Sequence, residues 1–255
     1  MARSTRILFV AGEVAPFTEI TEISGLTRSL PEALQDEGDY DARLMMPRYG
    51  TISERTHNLH EVIRLSGTAV PMGDKEEEVT VKVASIPDTR VQVYFMDHDD
   101  YFGRDAVYRN EDGAAFDDNA KRAAFFNRAV LETVCKLRWG PEVIHAFGWI
   151  SGLVPLMLAT EYAGEEILDD TKVIFTPDGL EDQASVTEDV ASALGLDVDD
   201  LPTSLTDLAR RYADLVINPP SLEASDTVAA FSASEDEHGA QLAELYNQVM
   251  SEVPA

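Results

Sequence analysis

The sequence predicts an α/β fold, a Rossmann-like three-layer α/β/α sandwich built on a mostly parallel sheet. Short apolar runs alternate with amphipathic stretches of helical period along most of the chain. Runs such as Ile7–Val10 (ILFV) and Lys172–Phe175 (KVIF) lack alternation. Strands buried on both faces by helices read this way. The units are too few and too uneven for a closed eightfold barrel, which leaves an open sheet.

The elements follow in order. Arg6–Val10 is the first strand, and Leu26–Gln35 is a helix with Pro31 in or near an early turn. Tyr40–Met46 is the second strand, ended by Pro47–Gly50. Leu59–Leu65 and Glu78–Ala84 read as a less regular pair, partly antiparallel, with Gly73–Glu78 as a charged turn. Val91–Met96 is another strand. A long helix then spans about Asp118–Arg138, with Asp117 or Asp118 as its cap and Trp139-Gly140-Pro141 as its end. Val143–Phe147, a helix over Trp149–Tyr162, and Lys172–Thr176 follow. Leu205–Tyr212 is helical, Asp214–Ile217 is a short strand, and Glu237–Met250 is a terminal helix. Residues 1–221 read as one domain and 222–255 as an acidic extension of loop plus helix.

Charge narrows the function classes. The 255 residues carry 47 Asp and Glu against 20 Lys and Arg, a formal net charge of -27. Nucleic acid and anionic membranes would repel such a chain, so neither is an expected partner. Residues 161–255 hold 22 acids and three basic residues. That asymmetry suits either an acidic partner surface or a solvated surface in a salt-rich cytoplasm. The single cysteine, Cys135, excludes an intrachain disulfide and a cysteine zinc cluster. No apolar run reaches the ~20 residues of a membrane span. The N-terminal apolar run is broken by Glu13 and reads as a strand rather than a signal peptide, so the expected location is cytoplasmic.

Ligands of open α/β sheets gather beyond the carboxyl ends of the strands, at the switch in strand order. Those segments carry Glu13, Arg48, Tyr49, Asp97, His98, Asp99, Asp100, Tyr101, His145, Trp149, Asp178, Glu181 and Asp182. Carboxylates there can accept from sugar hydroxyls and aromatic rings can pack on sugar faces. His145 also reads as a satisfied core histidine, and Trp149 as a helix-start packing residue. The Asp97-His98-Asp99-Asp100 run lacks the spacing of a calcium loop, and His57 with His60 lacks a third ligand. No metal or cofactor is expected. The G-x-G-x-x-G, P-loop, nucleophile-elbow and H-E-x-x-H patterns are absent.

Several segments, in order and at matching spacing, carry a resemblance. They are EVAPF at 13–17, LPEAL at 30–34, MPRYG at 46–50, VYFMDHDDYFGRDAVY at 93–108, DDNAKRAAFFNRAVLE at 117–132, WGPEVIHAFGWISGLVP at 139–155, KVIFTPDGLEDQ at 172–183 and YADLVINPPS at 212–221. Together they resemble the N-terminal half of bacterial glycogen and plant starch synthases. The resemblance implies one Rossmann-like half of a GT-B fold. It also implies transfer of glucose from ADP-glucose to an α-1,4-glucan with retention, across a cleft between two domains.

At the family's site positions this chain departs. The Lys-Thr-Gly-Gly-Leu segment aligns with Glu19-Ile20-Thr21-Glu22-Ile23, so a cation becomes Glu19 and both glycines are lost, at Thr21 and Glu22. The His-x-His-Asp-Trp motif becomes His145-Ala146-Phe147-Gly148-Trp149. The Thr-x-His-Asn-Leu motif becomes Thr176-Pro177-Asp178-Gly179-Leu180. The 34 residues after position 221 are too few for a second nucleotide-binding domain. These readings predict a degenerate synthase-like domain without autonomous transfer that binds a glucan, a small sugar or a protein partner, including a second copy. Two alternatives stay open: a retaining glucosyltransferase, alone or completed by a partner chain, and a structural or regulatory interaction protein.

Overall fold

The computed structural model describes residues 4–180, 183–193, 204–225 and 228–251. Glu181 and Asp182 lie outside them. Among the described residues the strands form one ten-stranded sheet. Its parallel part runs β10 (Ala229–Ala230), β9 (Leu215–Asn218), β8 (Lys172–Thr176), β7 (Val143–Phe147), β1 (Thr5–Ala11), β2 (Tyr40–Pro47), β6 (Gln92–Asp97). β5 (Lys75–Ser85) then joins antiparallel, pairing also with β3 (His60–Glu61) and β4 (Thr68–Met72).

The apolar runs explain the centre. Ile7 through Ala11 are buried without interruption, because β1 has neighbours on both edges and helices over both faces. On one face lie α1 (Ile23–Glu37) and α8 (His238–Ser251). α1 buries Ile23, Leu26, Leu30 and Leu34 at helical spacing. Gly239 lets α8 approach closely, since a Cβ there would stand 2.7 Å from the Ala33 carbonyl oxygen. On the other face lie α4 (Asn119–Leu137), α5 (Val154–Ala159) and α7 (Leu205–Tyr212). Phe231, Leu242, Tyr246 and Val249 share the core of β1 and β7. No described helix is long and apolar enough to cross a membrane.

Several elements differ from expectation. Of the predicted Leu59–Leu65 strand, His60–Glu61 form a two-residue ladder with β5, and Val62 adds one backbone bond to the Val81 carbonyl. The main hairpin partner is β4, which Pro71 conceals from a strand pattern. The charged turn shrinks to Gly73-Asp74, with Gly73 at φ 68°, because Met72 already pairs with Lys75. The helix expected over Trp149–Tyr162 is broken into a 3₁₀ turn, Trp149–Ser151, and the short α5. At the break, Gly152 lies against Leu205, where a Cβ would meet its carbonyl oxygen at 2.6 Å. Asp118 holds the N-cap position of α4, but its carboxylate pairs with Arg104 instead of capping. Three short helices lie outside the predicted elements: α2 (Glu54–His57), α3 (Asp99–Phe102) and α6 (Glu188–Ala193).

Candidate functional site

The strand order reverses at β1 and β7. From β1 the chain steps to β2 and β6, and from β7 to β8 and β9. The loops leaving β1, β2, β7 and β8 therefore meet at one end of the sheet.

Four predicted residues come together there with one that sequence reasoning missed. Glu13 follows β1 and is 2% exposed. Its Oε2 accepts from the backbone N–H groups of Ile20 and Thr21, each at 2.7 Å, and its Oε1 from the Thr21 hydroxyl at 3.1 Å. Burial raises its pKa, and those three bonds oppose the shift. Tyr49, after β2, is fully buried, and burial raises the pKa of its phenol. Trp149, after β7, is 1% exposed. Asp178, after β8, is half-buried and accepts from Trp149 N–H at 3.3 Å and Leu180 N–H at 3.1 Å. Burial pushes the Asp178 carboxyl up to about 6, and the nearby Glu13 charge adds to the shift.

Tyr108 joins them. Its ring packs edge-on against Trp149 at 5.0 Å and Tyr49 at 6.0 Å. Its hydroxyl lies over Gly12, which has no room for a Cβ. It stands in a loop, where periodicity says nothing, and its only sequence signal is its place at the end of the 93–108 segment. Burial also raises the Tyr108 phenol, and both Glu13 and Asp178 contribute. Two carboxylates and two phenols therefore share one electrostatic environment.

The loop after β1 is drawn onto this centre. Thr21 binds Glu13, and Thr27 donates its hydroxyl to the Glu13 carbonyl at 2.7 Å. Glu19 and Ile20 are exposed at the mouth, and the Ser221 hydroxyl donates to the Glu22 carboxylate. Gly148 and Gly179 both adopt positive φ, at 74° and 71°.

Other predicted residues lie elsewhere in the packing. Arg48 and Asp97 pair with each other at 3.0 Å, and Lys82 contacts Asp97 and Glu54, each at 2.6 Å. Arg48 also reaches Glu54 at 3.4 Å and the exposed Asp99 at 3.7 Å, while Asp100 is exposed. These charges neutralise one another at the junction of β2, β5 and β6. His98 and Tyr101 pack on Phe125, with Tyr101 stacked at 4.2 Å, and Lys121 lies over the Tyr101 ring. His145 is fully buried, its Nδ1 2.9 Å from the Tyr246 hydroxyl and its Nε2 2.9 Å from the Thr176 hydroxyl. Burial pushes its imidazole down to about 3. Phe147 stacks on His145 at 4.1 Å and on Phe9 at 6.0 Å. Both rings point into the core under α8 rather than toward the mouth.

Comparison with known proteins agrees with this architecture. The sequence profile of the family described as starch synthase catalytic domain matches residues 6–233. Glycogen synthase of Chlorobium limicola is 37% identical over 234 residues, covering 84% of this chain and 48% of that protein. Glycogen synthase of Pelodictyon phaeoclathratiforme is 34% identical, covering 89% and 48%. The structure of the catalytic domain of Starch Synthase IV from Arabidopsis thaliana bound to ADP and acarbose superposes with a TM-score of 0.70 at 20% identity, over 84% of this chain and 45% of that one. The chain thus spans about half the length of these relatives. With a Rossmann-like half of the GT-B fold and a family match over nearly its whole length, the chain belongs to the starch synthase catalytic domain family.

Proposed function

We propose that this domain binds an α-glucan or short glucoside at the switch-point mouth and does not by itself transfer glucose from a nucleotide sugar. The observation that carries the reading is the charge and chemistry of the mouth. Among the described residues its carboxylates are Glu13, Glu19, Glu22 and Asp178. A diphosphate approaching them meets like charge, whereas neutral sugar hydroxyls donate to carboxylates. Asp178 is the partly accessible acceptor, and Ile20 adds an exposed apolar side chain on the loop whose backbone Glu13 binds. Glu13, Tyr49, Tyr108 and Trp149 form the closed floor beneath.

A second reading has one observation in its favour. The chain spans about half the length of each glycogen synthase it matches, and the half that the match does not reach would supply the cations that hold the diphosphate of a transferase. One experiment tests the first reading. The 255-residue chain is titrated calorimetrically with maltoheptaose and with ADP-glucose, and the mixtures are assayed for elongated glucan by mass spectrometry. Maltoheptaose binding, a silent ADP-glucose titration and no elongation are expected. Glucosyl transfer by the chain alone would overturn the reading.

A further inference from the structure

Positions 148 and 178, thirty residues apart on neighbouring strand exits, occupy a shared space. Gly148 leaves β7 in the left-handed region, at φ 74°. A Cβ there would stand 2.5 Å from Asp178 Oδ2 and 3.1 Å from Asp178 Cγ. The same Oδ2 accepts the N–H of Trp149, the residue that opens the 3₁₀ turn. Glycine has no side chain to cap that turn, and Asp178 supplies the acceptor from β8 instead. The carboxylate reaches the Trp149 amide only because residue 148 is bare.

We propose that Gly148 and Asp178 act as one unit, in which Asp178 is the positioning residue for Trp149. The consequence extends across the floor of the site. Trp149 packs on Tyr108, and Tyr108 lies over Gly12 at the exit of β1. Displacing Asp178 therefore moves the tryptophan, the tyrosine and the strand end together. Resting on the proposed glucan binding, the unit also sets ligand class. Two backbone N–H groups leave part of the carboxylate's acceptor capacity facing the mouth. It offers acceptors to a neutral polyol and repulsion to a phosphate.

The test is a double-mutant cycle in a Trp139→Phe background, which leaves Trp149 as the sole tryptophan. Gly148→Ala, Asp178→Ala, the double variant and Asp178→Asn are compared by melting temperature, tryptophan emission and maltoheptaose calorimetry. The left-handed strain that Gly148→Ala introduces is common to both backgrounds and cancels, so the coupling reports the shared space. Gly148→Ala should lower the melting temperature clearly less when Asp178 is already alanine. Asp178→Ala should shift Trp149 emission and weaken maltoheptaose binding about tenfold. Asp178→Asn keeps an acceptor for the Trp149 amide and should retain the parent emission. Equal losses from Gly148→Ala in both backgrounds, with unchanged emission in Asp178→Ala, would overturn the proposal. The coupling is read without ligand. If it persists while neither parent nor variant binds maltoheptaose, the unit stands and glucan binding falls.

Discussion

His145 and Tyr246 are 101 residues apart in sequence, and their imidazole and phenol meet at 2.9 Å inside the core. The contact ties α8 to β7 through a polar bond buried among Phe9, Phe147 and Phe231. Tyr246→Phe removes the hydroxyl and leaves a buried imidazole nitrogen without a partner. It should cost about 1–3 kcal/mol in urea denaturation. An unchanged midpoint would show that the bond contributes nothing to stability.

The same burial sets the acid response. His145 stays neutral in the fold down to about 3, whereas in the unfolded chain it protonates near its ordinary value of about 6.5. The unfolded state therefore binds more protons between these limits, and His145 costs stability as pH falls through them, at up to ~1.4 kcal/mol per pH unit. Nitrogen chemical shifts of the imidazole should report a neutral ring at pH ~4.5, well below the ordinary His value. A protonated ring at that pH in the folded protein would contradict the burial argument.

Asp178 works with the opposite sign. Its folded value of about 6 lies above the ordinary carboxylate value, so the folded state binds more protons between ~4 and ~6 and its contribution is lost as pH rises. The stability of Asp178→Asn relative to the parent should therefore grow as pH rises through that window. A pH-independent difference would mean that the carboxyl titrates normally in the fold.

Asp97 sits between Arg48 and Lys82. Asp97→Ala leaves two enclosed cations with only Glu54 and the exposed Asp99 to answer them, and should destabilise by about 3 kcal/mol. Maltoheptaose affinity should not change. Weakened binding at unaltered stability would instead place Asp97 in the ligand site.

Glu13 accepts two backbone N–H groups, so its removal should be read at those amides. Glu13→Ala should speed hydrogen exchange at Ile20 and Thr21 about tenfold or more, while amides of β1 stay protected. Unaltered exchange would show that the loop is held by other contacts.

Much of this architecture is readable from local pattern. β1, β7 and β8 announce themselves by apolar runs, and the open-sheet rule then brings Glu13, Tyr49, Trp149 and Asp178 to one end. The remainder is non-local. Nothing near Asp97 says that Arg48 and Lys82 will neutralise it. Tyr246 carries no mark of its partner on β7, and Pro71 hides β4. Gly148 and Asp178 each look like a departure from the family when read alone. Only in three dimensions does one make room for the other.

The sheet narrows at both ends of its path, to Ala229–Ala230 on one side and His60–Glu61 on the other, and the flanking β4 carries Pro71. A broad sheet with long bare edges would template the backbone of another chain and seed fibres. Here each of the two end strands offers only two residues for such pairing, and Pro71 interrupts the donor row of the five-residue β4. Strand addition at these edges is thereby disfavoured.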